Sequence, residues 1–258
     1  MTPQPVDLSI IIPAYMEAGR IAGVLAELAA FLATRDYGTV EVLVVTADSP
    51  DHTAEIAAAQ AHLFKNFRVI PAGPRVGKGR DVRMGIFEAT GRYRVFMDAD
   101  LATPLRHLDE VKAFIDRHGQ IAIAVRDLLT IHKQFLRKIM SKATNLAAQL
   151  LVVPGIKDTQ CGFKVFEASV AEELFGRMTM LQWSFDMEIL AIARQLGYTV
   201  EFIETPDWFD PKASATGLSG DSIIKIALKG ALDPFVMRYN IITGRYRQVS
   251  YEHKPASQ

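Results

Sequence analysis

The sequence predicts an α/β fold: a doubly wound, mostly parallel sheet flanked by helices in a single domain. In the first half, short β-branched runs alternate with helix-like segments, and this alternation favours a parallel sheet. The 258 residues suit one large domain, and they contain no internal repeat or low-complexity linker that would mark a boundary. Because ligands of such sheets bind beyond the carboxyl ends of the strands, the residues after each strand are the first candidates for a site.

The elements of the first half follow from local patterns. Residues 8–12 form a β-branched run that Pro13 ends, which predicts a buried strand. Apolar spacing over residues 17–33 predicts a helix. The same criteria predict, in order, strand 40–45, helix 53–63, strand 68–70, a Pro/Gly loop at 71–74, helix 79–89, strand 93–97, helix 104–117 and strand 121–125.

The second half is less regular. We expect a long helix over residues 133–151, a strand near 161–166, a helix over 185–196 and a strand over 199–203. From Arg245 onward the chain is polar and is expected to fray.

Composition excludes several classes of function. The 29 basic residues balance the 29 acidic ones, whereas a dedicated nucleic-acid-binding protein would be expected to carry a basic excess. A lone cysteine, Cys161, excludes an internal disulfide framework and a cysteine-rich metal site. No apolar run reaches the roughly 18–20 residues that span a bilayer, and the polar N-terminus does not resemble a signal peptide. These features predict a cytoplasmic enzyme.

The most informative local motif is Asp98-Ala99-Asp100, directly after the strand predicted at 93–97. A spacing of two places both carboxylates on the same side of an extended chain. Mg²⁺ typically takes one or two protein carboxylates together with substrate phosphates, and it would neutralise a diphosphate leaving group. The alternative is a solvated turn that caps the next helix.

Two further motifs lie at strand ends. Residues 75–80 combine glycines, which let a backbone approach a ligand closely, with Lys78, whose charge suits phosphate. This is not a Walker loop, and a Gly-Lys-Gly run is often only a surface turn. In residues 13–17, Tyr15 could stack on a base and Glu17 could accept hydrogen bonds from a ribose or base. The alternative there is a strand end followed by an acidic helix start.

Together these motifs resemble family 2 inverting glycosyltransferases. Residues 11–17 are similar to the Pro-x-Tyr-Asn-Glu motif at the start of that family's domain. The next family motif resembles residues 77–79 together with residues 82–85. The family's metal-binding motif resembles residues 98–100. Residues 156–166 and 183–190 look like the dolichyl-phosphate β-glucosyltransferases, and the dolichol-phosphate mannose synthases share a looser version. The resemblance runs from about residue 8 to residue 246.

The resemblance implies a GT-A-type fold and a metal-dependent hexosyltransferase. Residues 1–125 would bind a nucleotide-sugar donor and Mg²⁺ or Mn²⁺, residues 126–250 would bind a polyprenyl-phosphate acceptor, and residues 251–258 would be a polar tail. Glucose is the favoured sugar and mannose the next. The implied donor-binding residues are Pro13, Tyr15, Glu17, Lys78 and Asp98. The implied metal ligands are Asp98 and Asp100, and the implied acceptor-phosphate residues are Arg126, Arg137 and Ser141.

One stretch departs from the family pattern. After the second strand the family usually has Asp-Asp-Gly-Ser, in which an aspartate reads the nucleobase, but residues 46–51 here are Thr-Ala-Asp-Ser-Pro-Asp. Either Asp48 makes the donor contact through a shifted loop, or base recognition differs. The donor nucleotide therefore stays open.

The acceptor decides whether a base is needed. A phosphate monoester has a second pKa of about 6 and is mostly dianionic at pH 7, so it needs no strong base. A hydroxyl acceptor would need a carboxylate base, and Asp158 and Asp186 are the candidates that would join Asp100 as catalytic residues. A soluble family 2 enzyme acting on a small hydroxylated molecule, or a nucleotide-binding pseudoenzyme, remain alternatives.

A basic segment offers a surface for a lipid phosphate. Residues 128–157 contain no Asp or Glu, and the helix predicted at 133–151 separates basic and polar residues from apolar ones. Such a helix can lie on an anionic membrane surface or pack its apolar side on the core. We favour packing on the core with Arg137 and Ser141 facing the acceptor phosphate. Peripheral contact with the cytoplasmic membrane face and the oligomeric state stay open.

Overall fold

The structure is a computed structural model that describes residues 5–126, 151–156, 158–209 and 220–248, with backbone alone for residues 220–229 and 231. Several predictions lie outside these ranges: most of the helix at 133–151 with Arg137 and Ser141, and the tail at 251–258.

A seven-stranded sheet forms the centre of the described residues, in the order β3-β2-β1-β4-β6-β5-β7. The strands are β1 Leu8–Ala14, β2 Val40–Ala47, β3 Phe67–Gly73, β4 Tyr93–Met97, β5 Ile121–Arg126, β6 Phe163–Glu167 and β7 Val200–Thr205. Only β6, which pairs with β4 and β5, runs antiparallel. The prediction of a mostly parallel sheet is confirmed.

Helices cover both faces of this sheet. They are α1 Ile21–Ala33, α2 Thr53–Ala58, α3 Lys78–Glu88, α4 Leu108–Asp116, α5 Ala168–Arg177, α6 Phe185–Leu196, α7 Gly220–Ile242 and α8 Arg245–Gln248, with 3₁₀ turns at Ala61–Leu63 and Leu105–His107. The sequence did not predict α5 or α7. In the described ranges, no helix is long and apolar enough to cross a bilayer.

Alternation along β1 explains why both faces are covered. Ile11 packs in one core cluster, which includes residues of β2, α3 and α6. Ile10 and Ile12 point the other way, into a second cluster with residues of α1 and α4. All three side chains are fully buried, and each contributes roughly 1.5–3 kcal/mol to stability. A central parallel strand buried on both faces is what the unbroken apolar run predicts.

Two local predictions were wrong. Residues 71–73 belong to β3, and Pro71 pairs in register with Thr46. A proline is tolerated because β3 is an edge strand. The chain is also ordered from Arg245 to Gln248. Tyr246 is 1% exposed, and its hydroxyl donates to Glu188 Oε1 at 2.9 Å, so one buried aromatic residue anchors a polar segment.

Candidate functional site

A pocket of about 240 Å³ opens beyond the carboxyl ends of β1 and β4, beside the start of α3. Its lining residues are Pro13, Ala14, Tyr15, Met16, Glu17, Arg75, Gly77, Lys78, Asp81, Asp98, Ala99, Asp100 and Trp183. The structure therefore brings the three sequence motifs together in one pocket. Parallel strands explain this, because their carboxyl ends meet at the same edge of the sheet.

The loop after β1 is held by the loop after β2. Ser49 Oγ accepts from the Met16 amide at 2.9 Å, and Thr53 Oγ1 accepts from the Glu17 amide at 2.9 Å. Asp51 Oδ2 accepts from the Ala18 amide at 3.0 Å. Burial alone would raise the pKa of Asp51, but its hydrogen bonds, from Ser49 and Thr53 among others, lower it to about 2. Asp51 thus positions the backbone that presents Glu17 to the pocket.

Asp98 lies between a lysine and a glycine. Lys78 Nζ is 2.5 Å from Asp98 Oδ1. On the other side, a Cβ added to Gly162 would overlap the Asp98 carboxylate. The Asp98 amide donates to the Gly162 carbonyl at 3.0 Å, so the two backbones are also joined. Only a residue without a side chain lets the carboxylate occupy this place.

Asp100 and Glu17 are two pocket carboxylates with raised pKa values, and Arg20 Nε lies 2.7 Å from Glu17 Oε2. Burial and the neighbouring Asp98 raise the pKa of Asp100. Burial raises the pKa of Glu17 to about 7; Arg20 opposes the shift, while Asp100 and Asp98 add to it. Among the described residues Asp100 has no ion-pair partner. Glu17, Asp98 and Asp81 each have an ion-pair partner, so Asp100 is the pocket carboxylate without one among the described residues.

A buried ion pair lies behind the pocket wall. Lys164 Nζ contacts Asp186 Oδ1 and donates to the Cys161 carbonyl at 2.6 Å. Burial raises the pKa of Asp186, although Lys164 and Lys78 oppose the shift. Burial would lower the pKa of Lys78, but Asp98 and Asp186 raise it. Asp186, predicted as a candidate base, does not line this pocket and instead supplies charge next to Lys78.

Asp158, the other candidate base, is bonded to an arginine. Arg126, at the end of β5, donates from its amide, Nε and Nη2 to the Asp158 carboxylate at 3.1, 2.6 and 2.8 Å. Burial would raise the pKa of Asp158, but the Arg126 contacts lower it. The Arg126 guanidinium carbon also lies 5.0 Å from the centre of the Trp208 ring. Neither Arg126 nor Asp158 lines this pocket.

Asp48 is exposed and does not line the pocket either. Its amide donates to the Gly73 carbonyl at 2.9 Å. Sequence reasoning assigned no binding role to three lining residues, Asp81, Trp183 and Arg75, although Arg75 lies in the motif at 75–80. A signal for Asp81 was present, because a spacing of three from Lys78 places both residues on the same side of a helix.

The sequence profile described as Glycosyl transferase family 2 matches residues 9–175, which is more than half of the chain. The chain belongs to this family. The predicted family is thereby confirmed, and the protein is a glycosyltransferase.

Two curated relatives of this family 2 glycosyltransferase share the same activity in their names. Dolichyl-phosphate beta-glucosyltransferase ALG5D of Trichomonas vaginalis is 32% identical over 257 residues, which cover 94% of this chain and 77% of the relative. Dolichyl-phosphate beta-glucosyltransferase of Saccharomyces cerevisiae is 29% identical over 268 residues, covering 95% and 78%.

Solved structures confirm the GT-A-type fold of this glycosyltransferase. Glucosyl-3-phosphoglycerate synthase from Mycobacterium tuberculosis, in complex with Mn²⁺, UDP and phosphoglyceric acid, matches with a TM-score of 0.64 and 15% identity. The match covers 89% of this chain and 78% of that one. Identity this low supports the fold and no more.

The carboxylates of this family 2 site are suitable ligands for a divalent cation. Among the residues that the structure describes, no group of three or more His, Cys, Asp or Glu side chains forms a metal site alone. Mg²⁺ nevertheless binds through one or two carboxylates when substrate phosphates complete its shell. Asp98 and Asp100 line the pocket together, and Asp100 is without a cationic partner there. A divalent cation would balance the unpaired charge of Asp100.

Proposed function

We propose that this glycosyltransferase moves a glucosyl residue, with inversion, from a nucleotide diphosphate sugar to a polyprenyl phosphate. The observation that carries the proposal is the convergence of Lys78, Asp98 and Asp100 in one pocket. Gly162, in the segment at 156–166 that resembles the lipid-phosphate enzymes, lies directly against Asp98 of this site. The names of relatives aligned over almost the whole chain support the sugar and the acceptor.

The donor would bind with its diphosphate beside Lys78. Pro13, Tyr15 and Glu17 line the part of the pocket that we assign to the nucleoside. Asp98 and Asp100 would hold Mg²⁺ or Mn²⁺, which, when bound, neutralises charge on the departing diphosphate. Lys78 remains protonated because Asp98 and Asp186 raise its pKa, so it contributes a fixed positive charge to the same leaving group.

The acceptor would be oriented by Arg126. Asp158 holds this guanidinium through two side-chain hydrogen bonds of 2.6 and 2.8 Å, and Trp208 lies over it. Arg137 and Ser141 would complete the phosphate site. A phosphate oxygen then bonds to the anomeric carbon as the bond from that carbon to the diphosphate breaks. The dianionic phosphate is itself the nucleophile, so we assign Asp158 the positioning of Arg126 rather than the role of a base.

A lipid acceptor places the reaction at a membrane surface. We propose that the protein works as a cytoplasmic or peripheral enzyme at the cytoplasmic face. The basic, acid-free stretch at 128–157 would face anionic headgroups or the acceptor phosphate.

The test compares acceptors and variants with purified protein, UDP-glucose and Mg²⁺ or Mn²⁺. We expect transfer to a polyprenyl phosphate in detergent micelles and none to the free polyprenol or to glycerol. Asp100→Ala should abolish metal-dependent turnover, whereas Asp116→Ala, an exposed change in α4, should not. Full activity of Asp100→Ala would refute the metal assignment, and transfer to glycerol would favour the small-acceptor alternative.

Arg137→Ala should raise the KM for the polyprenyl phosphate far more than the Kd for the donor. Unchanged acceptor kinetics would remove Arg137 from the acceptor site.

A further inference from the structure

We propose that Asp81 and Arg75 read the nucleobase of the donor and select bases that present a ring N–H beside a carbonyl. Uracil, thymine and guanine have such an edge, and adenine and cytosine do not. The inference rests on the proposed function, because it takes the ligand of the pocket to be a nucleotide sugar.

Asp81 is fixed in the first turn of α3, one turn after Lys78. Both side chains line the pocket. The start of this helix is joined to the segment before α6, because the Arg80 amide donates to the Leu181 carbonyl at 3.0 Å. Gly79 lies so close to Phe185 and Gln182 that a Cβ there would overlap them. The Asp81 carboxylate is therefore presented from a rigid backbone.

One oxygen of the Asp81 carboxylate, Oδ2, is available to accept a hydrogen bond from a ligand. Asp81 is only 4% exposed. Arg80 donates from Nε and Nη2 to Oδ1, at 3.1 and 3.0 Å. Within the described part of the chain Oδ2 accepts no hydrogen bond. Because Asp81 lines the pocket and no described residue donates to Oδ2, a ligand N–H would form a charge-assisted hydrogen bond to this oxygen.

A stacking surface and a cation lie at the same end of the pocket. The Arg75 guanidinium carbon is 4.2 Å from the centre of the Tyr15 ring, and the charge of Arg75 also acts on Asp81. A base stacked on Tyr15 could therefore accept at a carbonyl from Arg75 and donate from its ring N–H to Asp81. Cytosine and adenine present a ring-nitrogen lone pair at that position, which the carboxylate would repel.

The loop after β2 offers no competing contact in this pocket. Thr46 and Ala47 are 3% and 2% exposed within β2. Asp48 is exposed, and its amide is bonded to Gly73. None of the three residues lines the pocket. Of the two alternatives from the sequence, a contact from Asp48 or a different mode of base recognition, the pocket favours the second, with Asp81 as the carboxylate that contacts the base.

The experiment measures Kd by calorimetry for UDP, dTDP, GDP, CDP and ADP with Mg²⁺, using the full chain. The wild type should bind the first three more tightly than the last two. Asp81→Asn keeps the shape and one acceptor oxygen but turns an N–H toward the base. It should weaken UDP binding about 10- to 100-fold, as expected for a lost charge-assisted hydrogen bond, and weaken CDP binding less.

Matched variants separate base reading from damage to the pocket. Glu88→Gln removes a carboxylate at the far end of α3, where it pairs with Arg68, and should leave every Kd unchanged. If thermal unfolding shows that Asp81→Asn does not fold, Arg75→Met is used for the test instead. Arg75 is exposed, so this substitution should not disturb the core. Arg75→Met should also reduce the preference for UDP over CDP, measured as the Kd for CDP divided by the Kd for UDP.

Two results would overturn this inference without touching the proposed function. One is a preference for UDP over CDP that stays unchanged in both Asp81→Asn and Arg75→Met. The other is a preference that is lost in Asp48→Asn instead. A wild type that binds none of the five diphosphates would refute the proposed function itself.

Discussion

Gly162→Ala tests how closely the second half of the chain supports the proposed metal site. A methyl group at this position would lie 2.7 Å from Asp98 Oδ1 and closer still to Oδ2, whereas Cβ atoms keep at least 3.0 Å from their neighbours. The backbone has little freedom to yield, because the Asp98 amide is bonded to the Gly162 carbonyl at 3.0 Å. β4 and β6 also pair from Met97 and Phe163 onward. The carboxylate must therefore move by about 1 Å or more from its present place beside Lys78.

We expect Gly162→Ala to lower the rate of transfer more severely than it lowers the free energy of unfolding. Misplacing a catalytic group by about 1 Å can lower the rate about 100-fold, and overpacking typically costs about 1–3 kcal/mol of folding free energy. Steady-state transfer from UDP-glucose to a polyprenyl phosphate and urea unfolding measure the two effects. Gly23→Ala is the matched control: nothing lies within 4 Å of a Cβ there, and alanine should stabilise α1 by about 0.5–1 kcal/mol. A Gly162→Ala enzyme with wild-type kcat would refute the reasoning.

Three further predictions test the buried charges. Asp158→Asn should raise the KM for polyprenyl phosphate about 10-fold or more, because Arg126 loses its charged partner. The Kd for UDP should stay unchanged. An equal rise in both constants would contradict this prediction. Lys164→Met should cost about 3–5 kcal/mol in urea unfolding, since it leaves Asp186 buried and unpaired, and Lys164→Met with Asp186→Leu should recover most of that loss. In metal-free protein, the folded-state pKa of Glu17 is raised from 4.5 to about 7, so the wild type should lose stability between those pH values. Glu17→Gln should then gain stability over the wild type at pH 8 relative to pH 4.5, by at most about 3 kcal/mol and by less if pocket water screens the charge. An equal difference at both pH values would contradict the assigned shift.

Strand ends and local motifs were predictable because their signals are local. The β-branched run before Pro13 predicted β1, and the spacing of Asp98 and Asp100 predicted two carboxylates after β4. Since parallel strands end at one edge, the meeting of Tyr15, Lys78 and Asp98 in one pocket followed from the order of the elements.

Contacts between distant parts of the chain were not predictable in this way. Asp158 and Asp186 were expected as bases, yet their environments depend on Arg126 and Lys164, which only the fold brings to them. The close approach of Gly162 to Asp98 likewise depends on the antiparallel pairing of β6 with β4. A polar composition also concealed the anchoring of α8, because one buried side chain, Tyr246, was enough to order it.

The most direct test of the central claim is the structure of the product. The purified protein is incubated with UDP-glucose, Mg²⁺ and a polyprenyl phosphate, and the extracted lipid is analysed by ¹H and ³¹P NMR. We predict one glucosyl residue joined through its anomeric carbon to the lipid phosphate in the β configuration, and no such product without the metal ion. A glucosylated hydroxyl group, an α-linked product or the absence of any lipid-linked glucose would contradict the account.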